Sequence, residues 1–328
     1  MLRRSIWHPE AFQGRGRRWR YFEGWYYKLI DSERGTAVAV IPGIALGEKP
    51  DDAHAFIQFI NATTGEVRYF RFGPGEFQAS EKDLDVRIGS NHFTRDLMHL
   101  EIDDGEDALS ADLRFKDIVR FPELRPFPGI MGPFSLVPWM ECYHGVVNIT
   151  HSIDGSMDFS GHSMDFTGGE GYIEKDWGTS FPDAWIWMQA NHFERQGSSF
   201  MFSLARIPWL GRQFPGLISL LLVDGKVHLF ATYNLARVRS IELDATSMRA
   251  LVTKPGYTLE VEASYEEAGV LLAPKNGMMT RQMKESITAE AKVRLADSSK
   301  RVIFEGSSMC AGLEISGDII KDIFRGRM

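Results

Sequence analysis

The chain has 328 residues but only two cysteines, Cys142 and Cys310. Two cysteines cannot build the disulfide framework of a small secreted domain, so we expect buried thiols in a reducing compartment. No apolar run approaches the eighteen residues of a membrane-spanning helix, and no apolar stretch follows the basic N-terminal residues as it does in a signal peptide. These absences predict a soluble, cytoplasmic protein.

Catalytic signatures are missing as well. None of the nine histidines lies in a two-residue or three-residue spacing with cysteine, aspartate or glutamate that identifies a zinc site. The sequence also has no glycine-rich phosphate loop, dinucleotide fingerprint or nucleophile elbow. We therefore predict that the protein uses no metal, no cofactor and no covalent catalysis.

Charge is unevenly distributed along the chain. The net charge is −7, yet residues 1–20 contain six arginines and one acidic residue, Glu10, so the remaining residues carry an excess of twelve negative charges. An acidic body excludes nucleic acid as an expected partner. The basic arm is either a solvated tail or a segment that meets an anionic lipid surface or a phosphorylated ligand. A location peripheral to a membrane therefore remains open.

The hydrophobic pattern is typical of an all-β protein. Short apolar runs alternate with turn residues, and no long amphipathic helix is visible in the first half. The predicted strands cover residues 23–30, 36–46, 54–61, 66–72, 84–92, 97–103, 108–116 and 144–153. Thr-Gly or Asp-Gly pairs predict hairpin turns at 64–65, 104–105, 154–155 and 224–225.

The two halves of the sequence echo each other at a spacing near 160 residues. Trp25 is matched by Trp185, and Val67 by Val227, within similar local sequences that occur in the same order. Matches at nearly constant spacing indicate two copies of one β-unit. A superposition of the two copies is expected to align these pairs.

Residues 171–193, GYIEKDWGTSFPDAWIWMQANHF, concentrate three of the eight tryptophans beside three consecutive charges. From Trp185 onward the pattern predicts a strand whose alternate residues share a face. One face carries Trp185, Trp187, Gln189 and Asn191, and the other carries Ile186, Met188, Ala190 and His192. Indoles followed by amides suit the wall of an apolar cavity with a polar end, or a core in which the indole N–H groups are satisfied.

This stretch, together with Phe22-Glu23-Gly24-Trp25-Tyr26-Tyr27-Lys28, resembles two segments of the tocopherol cyclase family that occur in the same order. The resemblance extends over most of the chain. It implies an all-β fold of two tandem lipocalin-like antiparallel β-barrels packed side by side. The repeat spacing places the N-terminal barrel at 1–154 and the C-terminal barrel at 155–328.

The resemblance also implies a reaction, the cofactor-free, acid-catalysed cyclisation of a prenylated quinol or similar isoprenoid to a chromanol. A carboxyl group in an apolar pocket keeps its proton because desolvation raises its pKa, and aromatic faces stabilise the carbocation that forms. Glu174 and Asp176 would share one strand face and are the candidate acids. In the plant enzymes that the chain resembles, the position of Asp176 is often Asn. This favours Glu174 as the acid for cyclisation, and Asp176 as the acid for a hydratase-like reaction.

The resemblance and the aromatic strand together nominate substrate-binding residues. They are Glu23, Trp25, Tyr27, His144, Tyr172, Trp177, Trp185, Trp187, Gln189 and Asn191. Structural roles stay open for several of them. The carboxylates at 174 and 176 can hold arginines or backbone amides at a domain seam, Glu23 can pair with a basic group, and His144 can be a satisfied core or rim histidine. The alternative functions are a non-catalytic lipid or isoprenoid carrier and a hydratase of an isoprenoid alkene.

Two proline-containing segments, 121–138 and 207–217, are predicted to be surface loops, because proline does not fit central strands. Their apolar residues, which in the first segment are Phe127, Ile130, Met131 and Phe134, indicate either transient contact with a lipid surface or packing over the barrel ends. The expected partners are therefore a hydrophobic small molecule and, transiently, a membrane surface.

Overall fold

The computed structural model describes residues 7–123, 125–209, 212–265 and 269–319. These residues form two antiparallel β-sheets, one of 12 strands and one of 10. The all-β prediction is confirmed. Within the described ranges, no helix combines the length and the apolar character needed to cross a bilayer.

The first sheet has the strand order β4-β3-β2-β1-β12-β10-β9-β8-β7-β6-β5, with β11 beside β10. The first strand therefore lies next to the last one, and Phe22 of β1 is opposite Gly178 of β12. The strands are β1 (Tyr21–Ile30), β2 (Ala37–Leu46), β3 (His54–Asn61), β4 (Glu66–Phe72), β5 (Phe77–Ala79), β6 (Asp85–Ile88), β7 (Asn91–Thr94), β8 (Leu97–Asp103), β9 (Ala108–Arg120), β10 (Cys142–Phe159), β11 (His162–Asp165) and β12 (Glu170–Gly178).

The second sheet has the order β16-β15-β14-β13-β22-β21-β19-β18-β17, with β20 beside β21. Its strands are β13 (Trp185–Ala190), β14 (Ser199–Trp209), β15 (Arg212–Val223), β16 (Lys226–Ala231), β17 (Arg237–Leu243), β18 (Ser247–Lys254), β19 (Tyr257–Ser264), β20 (Gly269–Lys275), β21 (Met278–Asp297) and β22 (Val302–Ser316). Short 3-10 helices at Pro50–Asp52, Pro74–Glu76, Gly132–Leu136 and Thr232–Asn234 lie in the connections.

Each sheet has its own apolar core. In the first sheet, Phe70 of β4 and Val86 of β6, which are distant in the strand order, join the same buried cluster as Trp25 of β1. The sheet therefore curves around that cluster, as expected of a barrel. In the second sheet, Ile186 and Met188 of β13 belong to a separate cluster. The strand alternation predicted for residues 185–192 agrees with this placement.

The described residues fall into two compact units. The first contains the chain up to Phe181 together with Leu271–Gln282, and the second contains Pro182–Val270 and the chain from Met283 onward. The inserted segment covers parts of β20 and β21. It is held to β3 by the Gln58 side chain, which donates to the Leu272 carbonyl at 3.0 Å and accepts from the Leu272 N–H at 2.9 Å. Residues 154 and 155, where the boundary was predicted, lie inside β10.

The predicted hairpin turn at 154–155 was wrong. Gly155 has a φ of +124°, and a Cβ there would lie 2.1 Å from the backbone oxygen of Asp112 on β9. The glycine thus permits a close approach of two strands rather than a reversal. The other three predicted turns do join consecutive strands, and 84–92 is two strands, β6 and β7, separated by a turn at 89–90.

The repeat is visible in the strand order, since β1–β4 and β13–β16 occupy corresponding places in the two sheets. Trp25 lies on β1 and Trp185 on β13, but only Trp25 belongs to its core cluster. A shift of one residue moves a strand's side chains to the opposite face. The two tryptophans therefore occupy corresponding strands without occupying equivalent faces.

The prediction of a loop at 207–217 was also wrong. Residues 207–209 and 212–217 continue β14 and β15, with Arg206 opposite Pro215 and Pro208 opposite Gln213, whereas 210 and 211 lie outside the described residues. β15 pairs with β16 only from Ile218 onward. The prolines therefore lie in a two-stranded extension, where their missing N–H groups disturb no further ladder.

Candidate active site

Strand β12 positions the charged residues that the sequence singled out. Ile173 faces the core of the first unit. By alternation, Lys175 and Trp177 share its face, whereas Tyr172, Glu174 and Asp176 lie on the other one. On the neighbouring strands, Tyr26 of β1 is the partner of Glu174, and His144 of β10 is the partner of Asp176.

Four side chains on this second face form a continuous cluster, which we call the acid cluster: Tyr172, Glu174, His144 and Asp176. The Tyr172 hydroxyl donates to Glu174 Oε2 at 2.6 Å. The same carboxylate oxygen lies 3.4 Å from His144 Nε2, and His144 Nδ1 lies 3.0 Å from Asp176 Oδ1. Glu174 is buried, with 4% of its surface exposed, while the Asp176 side chain keeps 24%. The imidazole thus lies between two carboxylates, hydrogen-bonded to the partly exposed Asp176 and in ion-pair contact, without a hydrogen bond, with the buried Glu174.

The acid cluster holds a proton on His144. Burial alone lowers the pKa of this imidazole, but the charges of Glu174 and Asp176 and the hydrogen bond with Asp176 outweigh burial and raise it from 6.5 to about 9. Burial and the Glu174 carboxylate also raise the pKa of Tyr172 well above its usual value. At neutral pH the cluster therefore contains a neutral phenol and an imidazolium.

This proton makes stability depend on pH. The pKa of His144 is about 9 in the folded protein and about 6.5 in the unfolded chain. The contribution of His144 to the free energy of unfolding is therefore complete below pH 6.5 and is lost as pH rises through about 9. We expect the loss of unfolding free energy in His144→Asn, measured with urea, to be roughly 3 kcal/mol larger at pH about 6 than at pH about 10. The matched control is His162→Asn, at an exposed histidine on β11. A pH-independent difference for His144→Asn would contradict the protonated cluster.

His144, Glu174 and Asp176 also form the one group of potential metal ligands found among the described residues, with their ligand atoms within 4.8 Å of one another. Tetrahedral zinc would bring such atoms to about 3.4 Å. One ion would also engage only one imidazole nitrogen, whereas each nitrogen of His144 already faces its own carboxylate. The observed geometry fits a shared proton better than a metal ion.

A buried ion pair lies on the opposite face of β12. Lys175 Nζ is 2.5 Å from Glu23 Oε1, and both side chains are fully buried. The Tyr21 hydroxyl and the Gln13 N–H also donate to the Glu23 carboxylate. The ammonium lies 4.8 Å from the ring centre of Trp25 and 4.7 Å from that of Trp177.

Residues 9–13 of the N-terminal segment cover this ion pair. Lys175 Nζ donates to the carbonyls of Pro9 and Ala11 at 2.9 and 2.5 Å. The Trp25 indole donates to the Glu10 carbonyl at 2.9 Å, and the Glu10 side chain lies 3.1 Å from Arg95. Of the nominated binding residues, Glu23, Trp25 and Trp177 thus belong to this structural cluster. Tyr27 also lies in the core, where its hydroxyl donates to the Thr94 carbonyl at 2.9 Å.

The remaining nominated residues lie on β13 and just after it, in the second unit. The Trp185 indole donates to Glu314 Oε2 at 2.7 Å, and Trp187 is also buried. The Gln189 amide donates to the Asn191 side-chain oxygen. The indoles and amides thus form one buried polar row on the face away from the core of that unit.

No local pattern in the sequence indicates that His144 occupies the centre of the acid cluster. His144 and Asp176 are brought together by the register between β10 and β12, and Cys142 Sγ also reaches Asp176 Oδ1, at 3.7 Å. The regular alternation in β12 does predict that Glu174 and Asp176 share a face. Pairing between strands distant in sequence has no comparable signal.

Comparison with known proteins gives consistent matches. The model of the tocopherol cyclase-like family matches residues 99–317. A probable chloroplastic tocopherol cyclase of Oryza sativa subsp. japonica is 25% identical over 203 residues, which are 56% of this chain. The match spans only 40% of the rice protein's length.

Solved structures show the same fold at low sequence identity. CghA with Sch210972 has a TM-score of 0.55 and 12% identity, with coverage of 90% of this chain and 89% of that one. Kievitone hydratase from Nectria haematococca has a TM-score of 0.50 and 10% identity, with coverage of 95% and 92%. A putative AttH from Nitrosomonas europaea has a TM-score of 0.50 and 13% identity, with coverage of 89% and 91%.

Proposed function

Because the chain belongs to the tocopherol cyclase-like family, we propose that it is an enzyme that protonates an isoprenoid alkene and closes a ring with a neighbouring phenol. The substrate class is a prenylated quinol or a similar isoprenoid, and the product is a chromanol. The observation that carries the proposal is a buried carboxyl, Glu174, linked through His144 to the partly exposed Asp176.

Glu174 is the proposed acid. Moving the His144 proton from Nε2 to Glu174 Oε2, across 3.4 Å, converts an imidazolium and a carboxylate into a neutral imidazole and a carboxylic acid. Such coupled groups share their protons rather than titrating one by one. Because the proton resides on His144 in the resting cluster, the carboxylic acid formed at Glu174 is the less stable form of the pair and therefore the more ready proton donor.

The remaining steps balance without an oxidant or reductant. The Glu174 proton adds to one alkene carbon and leaves a tertiary carbocation on the other. The phenol oxygen then forms a C–O bond to the cation and releases its proton, which neutral His144 accepts. Asp176 orients the imidazole through Nδ1 at 3.0 Å. Tyr26, which is opposite Glu174 on β1, is the aromatic residue proposed to stabilise the cation.

A hydratase reaction is the second candidate, and the exposure of Asp176 favours it. With 24% of its side chain exposed, this carboxylate can hold a water molecule beside His144. Water would then replace the phenol as the nucleophile that attacks the carbocation. A non-catalytic isoprenoid carrier requires neither acid nor base and is separated from both reactions by the test below.

The test is incubation of the purified protein with a prenylated quinol in D2O, followed by exchange into H2O and mass spectrometry. Cyclisation is expected to give a chromanol with one non-exchangeable deuterium on carbon, and hydration an alcohol with the same label. An O-methylated quinol, which has no nucleophilic hydroxyl, is the control for ring closure. Recovery of unlabelled substrate alone would contradict the enzymatic proposal and favour the carrier.

A further inference from the structure

We propose that a surface formed by the basic arm and the loop before β10 docks on an anionic phospholipid bilayer. We call it the Arg-Trp surface and define it by Arg17, Arg18, Trp19, Leu136 and Trp139. The proposal stands independently of the proposed chemistry, because the acid cluster takes no part in it.

Trp139 is the most prominent feature of this surface. It is 93% exposed, the largest value among the exposed large hydrophobic residues, and Leu136 beside it is 52% exposed. A large indole left in water is unusual in a soluble domain and often marks an interaction site. An amphipathic indole is also well suited to the headgroup level of a bilayer.

The loop that presents Trp139 is anchored at both sides of the indole. The Tyr143 hydroxyl donates to the Val137 carbonyl at 2.6 Å, and the Tyr143 ring stacks on Trp177 at 5.6 Å. Met140, immediately after the tryptophan, is buried. Trp139 itself has a φ of +61°, a left-handed conformation that costs energy in a residue with a Cβ. The exposure therefore belongs to a loop that is anchored on both sides of the indole.

The basic arm supplies the charge. Residues 15–20 are all exposed, and Trp19 is 62% exposed. Arg15 and Arg20 pair with Glu81 and Glu48, at 2.9 and 3.7 Å. Within the described part of the chain, Arg17 has only the ring of Tyr21 as a partner, at 5.5 Å, and Arg18 has no ion pair.

The arm and the loop enter the first sheet at the same end. Phe22, near the start of β1, and Cys142, at the start of β10, are both opposite Gly178 of β12. Two arginines and two exposed indoles thus lie at the same end of the first sheet, while the rest of the chain has a negative net charge. This combination matches an anionic bilayer, which attracts the cations and accepts the indoles.

The structure changes which residues of the predicted lipid-contacting segments matter. Ile130 and Met131 are buried, and Phe127 is only 37% exposed. The side chain of Trp209, in the second segment, lies outside the described residues. Trp139 falls one residue beyond the predicted loop 121–138, and it is more exposed than any of the apolar residues named within it.

The experiment is flotation of the purified protein with vesicles of phosphatidylcholine alone or with about 30% phosphatidylserine. Wild type is expected to float only with the anionic vesicles and to be released by salt. The double variant Trp139→Ser with Trp19→Ser is expected to weaken vesicle binding about tenfold or more. The double variant Arg17→Gln with Arg18→Gln is expected to weaken it roughly fivefold for each removed charge. All four positions are exposed, so the folding control is an unchanged melting temperature.

Matched control variants come from exposed residues elsewhere. Leu235→Ser removes an apolar side chain that is 65% exposed, and Arg87→Gln removes an exposed arginine on β6. Both are expected to float like wild type. Three results would each overturn the proposal. They are the absence of wild-type flotation, equal flotation of the surface variants and the controls, and binding to heparin without binding to vesicles.

Discussion

Glu174→Gln is expected to lower turnover of a prenylated quinol by about a hundredfold to ten-thousandfold, the usual effect of removing a general acid. The amide has nearly the same shape and still accepts the hydrogen bond from Tyr172, observed at 2.6 Å. It cannot deliver a proton to an alkene. The measurement is single-turnover conversion to the chromanol, with the melting temperature as the folding control.

The companion variants separate catalysis from packing. Glu101→Gln changes an exposed glutamate on β8 and is expected to retain wild-type turnover. Asp176→Asn removes one of the two anions that raise the pKa of His144, so its pH–rate profile is expected to shift toward lower pH. Wild-type turnover by a folded Glu174→Gln variant would exclude this residue as the acid. Loss of folding in that variant would instead assign it a structural role.

Lys175→Met is expected to destabilise the protein by about 3–5 kcal/mol, because it leaves the Glu23 carboxylate buried without its counter-charge. Both side chains are fully buried, and the ammonium also binds two carbonyls of the N-terminal segment. The free energy of unfolding in urea is the measurement. Adding Glu23→Gln is expected to recover part of the loss, because the amide is neutral and still accepts hydrogen bonds from Tyr21 and Gln13.

The control for this prediction is an exposed ion pair of similar type. Lys116 Nζ and Asp154 Oδ2 are 2.7 Å apart, but both side chains are largely exposed. Lys116→Met is therefore expected to cost less than about 1 kcal/mol. If Lys175→Met is no more destabilising than Lys116→Met, the buried ion pair does not hold β12 and the N-terminal segment together.

Local regularity accounts for most of what could be predicted from the sequence. Alternation placed Ile186 and Met188 on the face opposite Trp185, and turn residues located most of the hairpins, because both signals depend on neighbours in the chain. The acid cluster depends on β10 lying beside β12, and no residue near His144 encodes that pairing. Alternation also could not reveal that Trp25 faces a core and Trp185 does not, because the two strands have similar local sequences.

The proline-rich segments illustrate a second limit. Pro208 and Pro215 predict a loop rather than strands, yet an extension with only one neighbouring strand tolerates them. The prolines around Ile130 and Met131 predict that these side chains are exposed, but both are buried. A proline restricts the backbone conformation, but it does not determine whether the neighbouring side chains are buried in the tertiary fold.

The pairing of β1 with β12 has a consequence for the order of synthesis. Ile30 and Glu170 are direct partners, as are Phe22 and Gly178. A nascent chain therefore carries β1 with one unpaired edge until the ribosome has released residue 178, and closing so long a loop slows folding. The segment Leu271–Gln282, which belongs to the same unit, emerges later still. For roughly the first half of translation, one edge of the aromatic strand β1 therefore remains unpaired. Such an edge is the kind of surface that chaperones protect.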